Sequence, residues 1–224
     1  VDNRVAVCVC TYGRGKALSR LLKSMEEIDL TGYNPDAVEL IVVDNDSGAS
    51  ARPVCRELGP KLRWPLSYVI EPSRGIPQAR NRAVETALRH GHDAIAFIDD
   101  DEEPSPGWLD ALLTVQRTAE ADVVTGPVAP RFEAEPPEWV VRGRFFERQR
   151  YATGRVLDRA FSHNVLAVLE LFRELKIRFD ETAGGADLVD EKLRRYAAGH
   201  KNRLLHAALD NLAGEERQAA AGGE

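Results

Sequence analysis

Three carboxylates stand in a row at Asp99-Asp100-Asp101, directly after the apolar run at residues 94–98. Adjacent carboxylates repel one another unless a cation lies among them or water screens them. In an extended segment the first and third side chains point the same way, so Asp99 and Asp101 are expected to face one ion together, with Asp100 facing elsewhere. Mg²⁺ or Mn²⁺ suits such a site, because carboxylate oxygens, water and a diphosphate complete its shell. A solvated acidic loop is the alternative, which the preceding buried strand makes less favoured.

Other polar clusters also follow β-prone runs, at Thr11-Tyr12, Asp44-Asn45-Asp46 and Ser73-Arg74-Gly75. Ligands of open α/β sheets bind outside the carboxyl ends of the strands, so these clusters are expected on one rim with the acidic run. The second cluster suits either a helix cap or Asx turn, or contact with a nucleobase or ribose. Arg80-Asn81-Arg82 falls inside a predicted helix, where a salt-bridged surface and a diphosphate contact are both open.

The elements that must position these residues alternate along the first part of the chain. Apolar, β-prone runs predict strands at residues 4–10, 38–43, 66–70, 94–98 and 121–127. Helical patterns lie between them, so we expect an α/β fold with a mostly parallel sheet and helices on both faces. Residues 1–130 are expected to form this α/β region. Residues 131–224 are expected to be mostly helical and packed on the same domain, with helix from about 164 to 212.

Composition excludes several classes of protein. The chain has 224 residues, 43% of them apolar, and a net charge of −6, which suits a globular domain and argues against a duplex nucleic-acid binder. Neither a Gly-x-x-x-x-Gly-Lys-Ser/Thr loop nor a Gly-x-Gly-x-x-Gly after the first strand occurs. Cys8, Cys10 and Cys55 form no metal-like cluster and are expected to be buried and reduced. Without a membrane-length apolar run or a leader before Val1, a cytoplasmic location is expected.

Four ordered motifs are typical of one family. They are VCVCTYGR at residues 7–14, IVVDNDS at 41–47, GIPQARN at 75–81 and FIDDDE at 97–102. Together they resemble family 2 inverting glycosyltransferases of the GT-A fold, and most nearly the bacterial branch that builds exopolysaccharides such as succinoglycan. The resemblance covers about residues 4–130.

This resemblance implies a nucleotide-sugar donor, commonly a UDP-sugar, and a divalent ion, Mn²⁺ or Mg²⁺. The nucleotide-sugar contacts that it implies are Thr11, Tyr12, Arg14, Asp44, Asn45, Arg80, Asn81, Asp99 and Asp100. Thr11 and Tyr12 would line the nucleotide pocket, and Asp44 and Asn45 would approach the base. Asp101 would be the best metal ligand of the Asp-x-Asp element, together with Asp99.

The second half matches the family less well. Residues 178–181 and 198–200 fit the family, which usually reads Gly-Gly-Glu-Asp-x-Asp between them. An ungapped alignment of residues 179–200 puts Asp187, Leu188 and Asp190 on its acidic positions. Leu188 thus stands where the general base is often expected. Three alternatives follow from this alignment. Asp187 could serve as the base, a local shift of the backbone could bring in Asp190, or catalysis could be impaired. A β-rich segment is usual after this point, whereas this chain reads as helix to about Leu212.

The leading hypothesis is metal-dependent, inverting transfer of a sugar from the nucleotide to a hydroxyl of a glycan or lipid-linked acceptor. The stretch at residues 132–151, rich in aromatic residues and arginine, suits a sugar or an anionic lipid-linked acceptor, with peripheral contact at the cytoplasmic face of a membrane. Packing and solubility explain that stretch equally well. Leu188 supports a second hypothesis, a catalytically impaired nucleotide-sugar-binding domain. Nucleotidyltransfer ranks lower, because no Gly-rich, Lys-containing loop lies near the first strand.

Overall fold

The computed structural model describes residues 3–132, 134–146, 150–157, 160, 163–181 and 204–206. Within them, seven strands form one sheet: β1 Val5–Thr11, β2 Val38–Asp44, β3 Leu66–Ile70, β4 Ala94–Phe97, β5 Val123–Thr125, β6 Val165–Val168 and β7 Leu204–His206. Six α-helices in the same described ranges accompany the strands: α1 Gly15–Ser24, α2 Arg52–Leu58, α3 Ile76–Arg89, α4 Trp108–Thr118, α5 Glu138–Gly143 and α6 Glu170–Glu174.

The strand order is β3-β2-β1-β4-β6-β5-β7, and β1 to β4 are all parallel. The chain moves outward from β1 to β2 and β3, then crosses to the other side of β1 to form β4. A crevice for ligands opens where the strand order reverses in this way, outside the carboxyl ends of the two strands involved. The topology therefore locates the candidate site between the ends of β1 and β4.

Helices cover both faces of the sheet, as predicted. Successive side chains of β1 point to opposite faces, so Val5 and Val7 join one apolar core and Ala6 and Cys8 join the other. The first core also contains buried residues of α1, α2 and α4, and the second those of α3 and α6. Burial raises the pKa of the Cys8 thiol well above its usual value, which agrees with the expected buried, reduced cysteine.

The prediction of helix through residues 164–212 is wrong in two places. Val165–Val168 is strand β6, which lies antiparallel between β4 and β5, and Leu204–His206 is strand β7, which pairs in parallel with β5. The first three residues of β6 are buried, so sheet pairing on both sides outweighs the helical pattern of the sequence. Between these strands the described helix is α6, of five residues.

The segment rich in aromatic residues and arginine exposes apolar side chains. Trp139 and Phe145 are each 66% exposed, and their rings meet edge to face at 5.9 Å between centroids. Phe132 and Phe146 form a second edge-to-face pair at 5.8 Å. Among the residues that the structure describes, no helix has the length and apolar character needed to cross a bilayer.

Candidate functional site

The acidic run folds into a turn directly after β4. The Glu102 N–H donates to the Asp99 carbonyl at 3.1 Å, and the Asp99 N–H donates to Glu102 Oε2 at 3.0 Å. The prediction that Asp99 and Asp101 face one ion together assumed an extended run, whereas β4 ends at Phe97 and the run forms a turn in which the two carboxylates have different arginine partners. Asp99 Oδ1 accepts from Arg80 at 3.3 Å, while Asp101 Oδ2 accepts from Arg14 at 2.8 Å.

The side chain of Asp100 is buried in the protein, whereas those of its neighbours Asp99 and Asp101 are about half exposed. Its side chain is 6% exposed, and it accepts the Thr11 hydroxyl at 2.6 Å and Arg14 Nη1 at 3.2 Å. Burial raises the pKa of the Asp100 carboxyl, although Thr11 and Arg14 both act in the opposite direction. These bonds tie the carboxyl end of β1 to the loop after β4. The structure thus brings three of the predicted donor-site residues together in the crevice.

Arg80 reaches the acidic run from within α3. Its side chain is 5% exposed, yet its guanidinium pairs with Asp99 and lies over the Phe179 ring at 5.8 Å from the centroid. A buried guanidinium requires such partners because it cannot shed its charge. Of the two sequence-based options for this residue, a salt-bridged surface does not fit its burial. Contact between Arg80 and the diphosphate stays a prediction.

Asn81, the next residue of α3, turns away from the acidic run. Its Nδ2 donates to the Phe179 carbonyl at 3.1 Å and to Glu181 Oε1 at 3.0 Å, while its Oδ1 accepts the Phe179 N–H at 2.9 Å. Both N–H groups and the oxygen of this amide are therefore engaged by residues 179–181. The structure does not bring Asn81 together with the other predicted nucleotide contacts.

Asp44 ends β2 as a fully buried carboxylate with internal partners. Its Oδ2 accepts the Tyr68 hydroxyl at 2.7 Å and the Ala51 N–H at 2.8 Å, where Ala51 caps α2. Its Oδ1 accepts the Asp46 N–H at 3.2 Å. Burial and the bond to Asp44 raise the pKa of Tyr68 to about 12. The bond from the Asp46 N–H is of the Asx-turn type, one of the alternatives that the sequence left open.

Asn45 fastens the loop after β3 to the end of β2. Its Nδ2 donates to the carbonyls of Glu71 and Ser73 at 2.9 and 2.8 Å, and its Oδ1 accepts the Gly75 N–H at 2.8 Å. The residue is 7% exposed. Asn45 therefore holds the loop that carries Arg74 at a fixed place on the rim.

Tyr12 and Arg74 form the exposed part of this rim. The Tyr12 side chain is 46% exposed, and the Arg74 guanidinium lies over its ring at 4.5 Å from the centroid. An exposed aromatic ring can stack on a planar group, and the guanidinium beside it can pair with negative charge. Arg74 belongs to the Ser73-Arg74-Gly75 cluster that the sequence places on this rim, but it is absent from the nucleotide-sugar contacts that the resemblance implies.

Glu102 is a residue that sequence reasoning missed. Burial, followed by the charges of Asp99 and Asp101, raises its pKa to about 7. The amino-acid sequence does not indicate this raised pKa, because Glu102 looks like one more surface charge after the three aspartates. Glu102 is a half-buried side chain that accepts the Asp99 N–H and so stabilises the turn containing Asp99 and Asp101.

The acidic run fits a hard divalent ion in part. The side chains of Asp99 and Asp101 are 45% and 55% exposed, and carboxylate oxygens are the ligands that Mg²⁺ and Mn²⁺ prefer. Among the described residues, one trio has metal-ligating atoms within 4.8 Å of one another: Glu39, His90 and His92. This trio lies near the amino ends of β2 and β4, at the opposite end of the strands from the acidic run. A metal at the acidic run would therefore draw further ligands from water or a diphosphate.

The predicted general bases lie outside the described residues. Asp187, Asp190 and the intervening Leu188 belong to residues 182–203, whose placement the structure does not describe. The last described residue before them, Glu181, is bonded to Asn81.

A family model described as glycosyl transferase family 2 matches residues 6–174, well over half of the chain. The chain belongs to glycosyl transferase family 2. This family 2 chain is 35% identical over 143 residues to the succinoglycan biosynthesis protein ExoM of Rhizobium meliloti, covering 63% of this chain and 44% of that protein. It is 28% identical over 137 residues to a glucosyl-dolichyl phosphate glucuronosyltransferase of Haloferax volcanii, covering 61% and 42%. The chain thus spans less than half the length of these relatives.

Solved structures share the fold of this family 2 chain. The Staphylococcus aureus TarS 1–349 complex with UDP-GlcNAc superposes with a TM-score of 0.67 at 18% identity, covering 92% of this chain and 58% of that one. The mannosyltransferase PcManGT of Pyrobaculum calidifontis, in complex with GDP-Man and Mn²⁺, gives a TM-score of 0.65 at 21% identity, covering 93% and 57%. The predicted GT-A fold is confirmed.

Proposed function

We propose that this chain is the catalytic region of a glycosyltransferase that moves a sugar from a UDP-sugar to a hydroxyl of a glycan or lipid-linked acceptor. The observation that carries the proposal is the convergence of Thr11, Arg14, Arg80 and the acidic run at the crevice between β1 and β4. Residues 1–130 would bind the donor and residues 131–224 the acceptor. The two parts share one sheet, since β6 and β7 come from the second.

The rim provides separate places for the parts of a nucleotide sugar. The exposed ring of Tyr12 beside Arg74 suits the nucleobase, and the guanidinium groups of Arg14 and Arg80 suit a diphosphate, which binds arginine in a bidentate manner. Asp101, with Asp99, would hold Mn²⁺ or Mg²⁺. A divalent ion there would supply positive charge to the leaving nucleoside diphosphate.

The transfer itself needs a general base on the acceptor side. A carboxylate takes the proton from the acceptor hydroxyl, whose oxygen forms the new bond to the anomeric carbon while the bond to the diphosphate breaks. The configuration at that carbon is inverted, and general-base assistance of this kind contributes about 10²–10⁴ in rate. We assign this role to Asp187, with Asp190 as the neighbouring candidate. The side chain of Leu188 favours a second candidate function, a domain that binds the donor without turnover.

The acceptor is proposed to be lipid-linked and to meet the enzyme at the cytoplasmic face of a membrane. Residues 131–159 hold seven arginines against five acidic residues in a chain whose net charge is −6, and Trp139 and Phe145 extend into solvent beside them. Arginine with exposed aromatic rings suits a phosphate-bearing lipid at an interface. One relative is named for acting on a glucosyl-dolichyl phosphate and another for succinoglycan biosynthesis, which supports this choice.

A thermal-shift panel tests donor binding. UDP-, GDP- and dTDP-sugars are compared with and without Mn²⁺, and a ligand that binds the folded state alone raises the midpoint of unfolding by mass action. We expect a UDP-sugar to give the largest shift, and a larger one with Mn²⁺. Asp101→Asn should remove the metal-dependent part. If no nucleotide sugar shifts the midpoint under either condition, the proposal fails.

Turnover separates the enzyme from the binding domain. Sugar transfer, followed by release of UDP, should be abolished by Asp187→Asn while the thermal shift with the donor persists. Asp190→Asn serves as the matched comparison, since it removes one carboxylate three positions away. If the donor raises the unfolding midpoint of the wild type but no sugar is transferred to any acceptor or to water, the result would favour a domain that binds the donor without turnover. Release of pyrophosphate instead of UDP would indicate nucleotidyltransfer.

A further inference from the structure

The amide of Asn81 joins two parts of the protein that are far apart in sequence. It lies in the middle of α3, 7% exposed, and its three hydrogen bonds all go to residues 179 and 181. Two of them engage the N–H and the C=O of the same residue, Phe179. The amide therefore mimics one rung of a strand pair and sets both the position and the direction of the backbone there.

The segment around Phe179 needs such a partner. It is neither helix nor strand, so its buried backbone groups have no ladder to satisfy them, and an unpaired buried polar group is costly. The Phe179 side chain is 5% exposed and packs edge to face on Phe97 at 5.7 Å between centroids. Ring packing fixes the side chain, and Asn81 fixes the main chain.

The three hydrogen bonds from Asn81 to residues 179 and 181 are called the clamp below. The residue that precedes Asn81 in the sequence contacts the donor side of the candidate site. Arg80 precedes Asn81, pairs with Asp99 of the acidic run and lies over the Phe179 ring at 5.8 Å from its centroid. One helical turn of α3 thus contacts the donor loop through Arg80 and the acceptor-side segment through Asn81. That segment continues from Glu181 toward Asp187, six positions later in the sequence.

We propose that Asn81 is a positioning residue for catalysis, and does not contact the nucleotide. It holds residues 179–181 against α3, so that the acceptor-side segment, which supplies the general base, leaves the core at a fixed point relative to the Arg80–Asp99 pair. The inference rests on the proposed function for its catalytic consequence. The clamp itself is a physical feature of the fold that is measurable without any substrate.

Hydrogen–deuterium exchange tests the clamp directly. In Asn81→Ala the Phe179 N–H loses its acceptor, so exchange in a peptide covering residues 177–181 should become at least about tenfold faster than in the wild type. Val84→Ala is the matched control, because it removes buried apolar atoms from the same helix and leaves the amide of Asn81 in place. It should leave exchange of that peptide unchanged. Equal exchange in the wild type and Asn81→Ala would overturn the inference.

Donor affinity and turnover test the consequence. With UDP-glucose and Mn²⁺, or whichever nucleotide sugar the wild type binds, Asn81→Ala should keep its Kd within about threefold while UDP release falls about 100-fold, as expected for a misplaced reacting group. Glu181→Gln, whose amide oxygen still accepts from Asn81, should fall less than Asn81→Ala.

The outcomes separate this inference from the proposed function. A wild type that binds no nucleotide sugar refutes the proposed function, whereas the exchange measurement still decides on the clamp. An Asn81→Ala protein with weakened donor binding and normal turnover of bound donor would make Asn81 a nucleotide contact and overturn the inference. Equal loss of turnover in Val84→Ala would reduce the effect to general stability and would overturn the inference as well.

Discussion

Replacing Asn45 with alanine tests whether this residue builds the rim or contacts the base. Asn45 follows β2 and is 7% exposed. Its amide donates to two carbonyls, of Glu71 and Ser73, and accepts the N–H of Gly75. Alanine removes all three bonds at once and leaves three main-chain groups of one loop without their partner.

The size of the effect follows from those three bonds. A typical hydrogen bond contributes a net of about 1 kcal/mol, so their loss should lower the free energy of unfolding by about 3 kcal/mol. That is a large share of the total for a globular domain, which is about 5–15 kcal/mol. With an m-value of about 3 kcal/mol/M, the urea midpoint should fall by about 1 M.

Urea unfolding followed by tryptophan fluorescence measures the change. Asp46→Ala is the comparison, because this solvent-accessible neighbour in the same turn bonds to nearby Gly48 and Ser50, and its loss should lower the urea midpoint less than Asn45→Ala does. Donor affinity is measured on both variants by calorimetry. A stable Asn45→Ala protein that had lost donor affinity would refute the reasoning and make Asn45 the base contact that the resemblance implies.

Three further outcomes are expected. Tyr12→Ala should weaken donor binding about tenfold by removing the ring beneath Arg74 on which a nucleobase can stack, and unchanged affinity by calorimetry would place the base elsewhere. Thr11→Val should lower the free energy of unfolding by about 2 kcal/mol in urea, since the buried Asp100 carboxyl loses its shortest hydrogen bond. Burial holds the pKa of His92 below its usual value, so the unfolded chain takes up the proton first and stability should fall as the pH drops below about 6.5. His92→Gln, which still donates a hydrogen bond, should flatten that dependence of the urea midpoint, and an unchanged slope would assign it to other groups.

The α/β region could be predicted from the sequence because its strands are apolar, β-prone runs. Residues 38–43 form the almost fully buried β2, and residues 66–70 form the half-buried edge strand β3. The four residues of β6 carry no such signal, since a short apolar run reads equally well as helix or strand. Its identity is decided by the gap between β4 and β5, which is a tertiary property.

The location of the candidate site could also be predicted, but not the partner of each side chain. The position of the rim was predicted from the rule that ligands bind at the carboxyl ends of parallel strands. Thr11, the last residue of β1, and Asp100, which follows β4, are hydrogen-bonded there. The separate arginine partners of Asp99 and Asp101 depend on a turn whose backbone bonds the sequence does not reveal. The partner of Asn81 lies 98 positions away, beyond any local pattern.

These contacts divide the predicted donor residues into two groups with different physical roles. Asp44 and Asn45 are buried and use their polar atoms within the protein, so their work is to hold the rim in shape. Tyr12, Arg14 and Asp101 are about half exposed, so a ring, a guanidinium and a carboxylate stay accessible on the same rim. A rim that is already formed loses little conformational freedom when a ligand binds, which leaves more of the contact energy for affinity. We therefore propose that the sequence motif encodes both a scaffold and a contact surface, which burial distinguishes.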